Sequence, residues 1–184
     1  MRNIATILLL IFAGFTLVNA QNHKLDNANS KLVVLGTSTI HDWEIVAGDI
    51  ASTANYSMEN NQVKITQLDL IIKVESLKSG KSSMDKNTYE ALKNKQFPQI
   101  RYVLKEAHNI AASDEIKTSG VLTIAGVSQT IQMIVKAKTT GGKTNFTGKI
   151  PLKMTDFKID PPTAIMGTIK TGDEITIEFN IQYN

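Results

Sequence analysis

Side chains able to do chemistry are few and scattered along this 184-residue chain. His41-Asp42 is half of an acid–base or metal site, but no second histidine or carboxylate stands at ligand or catalytic spacing from it. A histidine on a strand is more often hydrogen-bonded structure, and the pair is read that way. Trp43 is either a lid over a bound molecule or a core anchor. Lys93, Lys95 and Arg101 would meet an anionic head group, or else form a solvated face. The sequence holds no nucleophile elbow, phosphate loop or paired-His zinc motif. It has no cysteine, which excludes a disulfide framework and thiolate metal sites. The pattern points to a protein that is not an enzyme and implies neither cofactor nor metal.

The elements that carry these residues begin with an export signal. Arg2 is a short positive region, Ile4 to Val18 is apolar, and Val18-Asn19-Ala20 supplies the small-residue cleavage pattern. The expectation is removal of residues 1–20, a new terminus at Gln21, and a periplasmic or secreted protein. The apolar run is short of the roughly 20 residues a membrane span needs, so no span is expected after cleavage. The formal charge is only +3 and no basic stripe with interleaved aromatics occurs, which argues against a nucleic-acid partner. Residues 21–30 read as a loose polar leader, and 31–184 as one domain.

From Leu32 onward the dominant period is two. Thr39, His41, Trp43, Ile45 and Ala47 share a parity, as do Leu68, Leu70, Ile72 and Val74, opposite Asp69, Lys73 and Glu75. Strict alternation sets one face against apolar material and the other in water. Glu59-Asn60-Asn61 and Gly141-Gly142 are turn signals, and Gly120 opens a strand over Val121 to Ala125. Between Ser83 and Asn94 the period becomes helical, with Ser82 and Asp85 as a capping box and Phe97-Pro98 as the stop. About eight strands with short connections imply antiparallel pairing in a sandwich or barrel. Aromatics are 6% of the chain and do not gather at strand ends, against an outer-membrane barrel with apolar faces outward.

Three stretches resemble the YceI-like family of exported bacterial lipid-binding proteins. They are Gly36 to Glu44 (GTSTIHDWE), Met84 to Lys93 (MDKNTYEALK) followed by Phe97-Pro98-Gln99-Ile100, and Gly120 to Ser128 (GVLTIAGVS). The family's better-known branch starts its first strand with His-Ser; the corresponding region here is Ser30-Lys31-Leu32-Val33-Val34. The resemblance implies an all-β fold, an eight-stranded antiparallel lipocalin-like barrel with one short helix. It also implies an apolar lipid partner, a polyisoprenoid or similar long chain, held inside as carrier, store or stress protein. The candidate lining is Trp43, Ile45, Leu68, Leu70, Ile72, Val74, Tyr102, Leu122, Ile124, Met133, Val135, Phe146, Leu152 and Phe179. The alternative is a non-enzymatic structural or interaction β domain in which these faces form a filled core. Oligomeric state is left open by the sequence.

Overall fold

The structure, a computed structural model, describes residues 22–164 and 166–184. The expected export signal and its cleavage point lie outside these residues. Twelve strands form one antiparallel sheet: β1 (Asn22–Lys24), β2 (Lys31–Ser38), β3 (Trp43–Ala47), β4 (Ile50–Glu59), β5 (Gln62–Lys73), β6 (Leu77–Lys78), β7 (Gln99–Asn109), β8 (Glu115–Ile124), β9 (Val127–Thr140), β10 (Lys143–Lys153), β11 (Thr163–Ala164) and β12 (Ile169–Tyr183). Their neighbour order is β1-β4-β5-β7-β8-β9-β10-β12-β2-β3-β6, with β11 added on β12. The helix α1 spans Ser82–Ala91.

The order explains why the sheet curls. β3 and β4 lie near opposite margins of it, yet only Gly48-Asp49 separates them in the chain. β5 likewise continues into β6 through a 3-10 turn at Val74–Ser76. At the other margin Leu25, just after β1, bridges Tyr183 of β12. The two margins are thereby drawn together. Bulges at Asn55/Tyr56, Leu104/Glu106 and Thr171/Ile175 add the local bending that curvature requires. The sequence reading of about eight strands differs from the twelve observed. The run from Leu32 to Ala47 is split at 39–42 into β2 and β3, while β1, β6 and β11 are short additions.

Turn chemistry follows the sequence closely. Asn60 and Asn61 have φ of 51° and 62°, and Gly141 and Gly142 have 59° and 79°. Two central residues in the left-handed region make the two-residue hairpin whose twist matches that of the flanking strands. The outer face is marked by ion pairs: Lys149–Glu178 at 2.8 Å across β10 and β12, Lys73–Asp49 at 2.7 Å, and Arg101–Asp69. All are solvent-accessible, so solvent screening leaves them little weight in stability.

Four local expectations are corrected. The leader is not loose: β1 pairs with β4, and the Asp26 amide donates to the Gln182 carbonyl at 2.8 Å. Asp26 then accepts from the Asn29 side chain at 2.9 Å, which holds its carboxyl below the usual carboxylate range. The run from Thr39 to Ala47 is not one strand, because β2 ends at Ser38. The Ser38 hydroxyl donates to the His41 carbonyl (2.7 Å) and accepts from the His41 amide (3.2 Å), closing a turn that puts His41 in a loop. Gly120 sits within β8, which already starts at Glu115. Finally, α1 begins one residue before the expected start, with Lys81 as its N-cap, and no side chain caps it. Asp85 reaches instead to Ser79, accepting from its amide at 2.8 Å and its hydroxyl at 2.6 Å.

Candidate binding cavity

The curled sheet encloses a cavity of ≈ 400 Å³, within the size range of small-ligand sites. β12 runs from one end of it to the other, with Ile169 and Tyr183 at its two termini, so the two ends are conveniently called mouth and floor.

The floor is aromatic. Phe146 meets Tyr183 and Tyr56 edge-on at centroid distances of 5.8 and 5.4 Å, and Tyr56 meets Tyr183 at 6.2 Å. His23 of β1 stacks on Tyr56 at 3.6 Å. Each ring of this kind removes roughly 150–250 Å² from water, and edge-to-face pairs add about 0.5–1.5 kcal/mol. The Tyr183 hydroxyl sits 2.6 Å from the Ser52 hydroxyl, which also donates to the Asp69 carbonyl. Burial pushes the Tyr183 phenol up to about 12 and raises those of Tyr56 and Tyr102 as well.

The walls are apolar and take their residues from alternate positions. Leu68, Leu70 and Ile72 of β5 line the cavity, facing Tyr102 of β7, Leu122 and Ile124 of β8, and Met133 and Val135 of β9. Trp43, Ile45 and Phe179 complete the expected residues found on the wall, and Phe146 lines the floor. Two do not reach it. Val74 is buried but belongs to the 3-10 turn after β5, where period two no longer applies. Leu152 borders a separate shallow groove with Leu35, Pro151 and Ile175, near the end of β10. The wall also holds Leu32, Val34, Ile100, Ile131, Ile150, Ile177 and Ile181, which carry the same alternation and were legible by it, and Ile65, which does not. Ile65 has odd parity because the bulge opposite Asn55/Tyr56 flips the face between Ile65 and Leu68.

Three aromatic rings on the wall lie over glycines. A Cβ on Gly36 would come within 2.1 Å of the Trp43 ring, one on Gly120 within 2.4 Å of the Tyr102 ring, and one on Gly148 within 2.4 Å of the Phe179 ring. Gly36–Trp43 and Gly148–Phe179 are directly opposed across their strands. Absence of a side chain lets each ring lie along the sheet. The Trp43 indole N–H donates to the Thr37 carbonyl at 2.9 Å, which fixes that ring in place.

The mouth is built by a loop, a helix and a hairpin. Ser38 ends β2 and Ile40 and His41 follow it in the β2–β3 loop, while Lys81, Ser83, Met84, Asn87 and Thr88 come from α1 and its N-cap. Pro162, Thr163, Ile169 and Thr171 come from the β11–β12 hairpin. The Thr39 amide donates to the Lys170 carbonyl at 3.0 Å, tying loop to hairpin. α1 is anchored by the Tyr89 hydroxyl, which donates to backbone carbonyls of Glu75 or Leu77, with Lys78 against it at 2.6 Å. His41 lies exposed, its Nδ1 2.8 Å from the Asp42 carbonyl; no group of three or more potential metal-ligating side chains occurs among the described residues. Lys93 and Lys95 follow the helix as exposed residues away from the cavity, and Arg101 is committed to Asp69 on the outer face.

A curled antiparallel sheet around an apolar cavity, with one helix at the rim, defines a sheet-walled cavity fold. The chain belongs to the YceI-like domain family, whose model matches residues 23–183. Its fold is similar to that of BcnA of Burkholderia cenocepacia, with a TM-score of 0.74 and 20% identity over 88% of this chain and 100% of that one. It is also similar to a polyisoprenoid-binding domain from Saccharophagus degradans implicated in plant cell wall breakdown (TM-score 0.67, 12% identity, 88% and 97% covered). The Campylobacter jejuni YceI protein gives a TM-score of 0.62 at 23% identity, with 76% of this chain and 84% of that one covered. No curated protein matches the chain by sequence.

Proposed function

We propose that this protein binds a long apolar chain, a polyisoprenoid or similar lipid, inside an eight-stranded lipocalin-like barrel. The count of eight follows when β3–β4 and β5–β6 are each taken as one bent strand and β1 and β11 as additions. The observation that carries the reading is the apolar cavity itself. Its floor is lined by Phe146 and Tyr183, with Tyr56 packed against both, and among the described residues its walls bear no charged side chain between floor and mouth. Burying hydrocarbon there gains about 25 cal/mol per Å² of apolar surface removed from water. A filled structural core would close-pack at interior density, and a cavity of ≈ 400 Å³ is the opposite arrangement. The similarity to a polyisoprenoid-binding domain supports the same reading. The role is binding rather than catalysis, with no cofactor or metal.

We further propose export to the periplasm or outside the cell, on the strength of residues 1–20. Among the described residues no helix is long and apolar enough to cross a membrane. Native mass spectrometry of protein purified from its own host tests the binding role. A co-purifying apolar molecule at one per chain is expected; ligand-free protein that takes up no lipid from mixed vesicles would overturn it. The intact mass of the same sample tests export, with a chain beginning at Gln21 expected and a product retaining Met1 to Ala20 refuting it.

A further inference from the structure

Between floor and mouth the cavity is asymmetric, and the asymmetry constrains which lipid it accepts. Tyr183, Phe146 and Tyr56 close one end, with Tyr183 and Phe146 each under a tenth exposed. A long chain therefore enters by the mouth, tail first, and any polar head stays there. Among the described residues, every charged or polar group bordering the cavity near the entrance is supplied by the end of β2 and the loop after it, α1 with its N-cap, and the β11–β12 hairpin. Among these, Lys81 is the one permanently charged side chain, and no Asp or Glu borders the cavity among the described residues. The Lys81 ammonium makes no ion pair with any described residue, whereas Lys78 beside it is engaged with Tyr89. The nearest carboxylate in sequence, Asp85, is occupied by the Ser79 amide and hydroxyl. Ser83 and Asn87, on the same helix, also border the cavity and offer hydrogen-bond donors.

We propose that the ligand is a single-chain amphiphile with an anionic head, a carboxylate or a phosphate, held at the mouth by Lys81 with Ser83 and Asn87. The proposal rests on the lipid-binding reading above and refines it. Apolar walls select the tail without regard to its head, while the unpaired cation with no acidic neighbour on the wall sets the sign of the head. An alcohol of the same chain loses the ion pair, and an amine meets a like charge. Lys81 is exposed, so solvent screens the contact and the discrimination is modest, about threefold to fivefold.

The test is displacement of a fluorescent apolar dye from delipidated protein purified from its own host. The competitors are palmitate, hexadecanol and hexadecylamine, and separately farnesyl phosphate and farnesol. The expected order is palmitate, then hexadecanol, then the amine, or farnesyl phosphate ahead of farnesol; whichever pair shows the preference identifies the head as carboxylate or phosphate. Lys81→Glu reverses the order and Lys81→Gln flattens it. Raising salt from about 0.05 to 0.5 M shrinks the preference in the native protein, because screening acts on an exposed pair. The Lys81 ammonium makes no ion pair with any described residue, and circular dichroism verifies that both variants fold. Equal displacement by charged and uncharged members of both pairs overturns the proposal and leaves lipid binding standing. A preference that survives Lys81→Glu overturns the assignment to this residue. Failure of every amphiphile to displace the dye overturns the lipid-binding reading and the proposal with it.

Discussion

The two ends of the cavity are made differently. The floor consists of strand residues that lock one another: rings at 5.4 to 6.2 Å, the Tyr183–Ser52 hydroxyl pair, and β1 stitched to β4 and β12. The mouth consists of a loop, a helix with no buried residue, and a hairpin tip, with Ile40 60% exposed and Met166 fully exposed. Closed ends stabilise and open ends admit. Changes at the floor should therefore act on folding, changes along the wall on occupancy, and changes at the rim only slightly on stability and not on tail binding.

The largest effect is expected from Phe146→Ala, which removes the ring that contacts both Tyr56 and Tyr183. A loss of about 3–5 kcal/mol in urea unfolding is expected; a loss below about 1 kcal/mol would break the contrast between the two ends. A second effect comes from pH. The Tyr183 phenol is raised to about 12 by burial, against an ordinary value near 10. A raised acid of this kind contributes full stability below pH 10 and loses it as pH rises toward 12, because the unfolded chain ionises first. The melting temperature should fall over that window by the equivalent of up to about 2–3 kcal/mol. Tyr183→Phe should flatten the alkaline limb.

Along the wall, Leu70→Lys should leave a folded protein by circular dichroism and weaken lipid uptake more than about tenfold, since a cation beside hydrocarbon is left unpaired. Unchanged lipid content in a folded variant would show that this stripe does not form the site. At the rim, Asp85→Ala removes the tie to Ser79 and should cost about 0.5–1 kcal/mol, the range of a lost helix-end cap. Smallest of all, Ile40→Ser should shift stability by less than about 0.5 kcal/mol. A larger shift would mean that the loop is part of the folding core.

What the sequence disclosed divides along the same line. Leu68, Leu70 and Ile72 were legible because alternation with Asp69 and Lys73 leaves one parity for the inside, and the structure places them on the wall. Val74 carries the same parity but lies beyond the end of β5, in a turn whose onset no residue type announces. Lys81 and Asn87 gave no periodic signal as lining, because a helix after a broken strand is positioned by tertiary packing. The basic cluster at Lys93, Lys95 and Arg101 was legible as charge and not as place: Arg101 points outward to Asp69. His23 and Leu25 were missed for another reason. Polar composition reads as a loose leader, yet main-chain pairing with β4 and Tyr183 requires no apolar side chains.

The glycines under the rings have a consequence for how such a protein diverges. Gly36, Gly120 and Gly148 set how close Trp43, Tyr102 and Phe179 lie to the sheet, and so govern the bore without being the chemistry of the bore. One added methyl at Gly148 would tip a phenyl ring inward and narrow the passage while every lining residue kept its identity. Under the proposed binding reading, head-group preference at the rim and chain width at the wall are thus written on separate residues. Each can drift under its own selection, and two relatives with the same inward-facing side chains can admit chains of different girth.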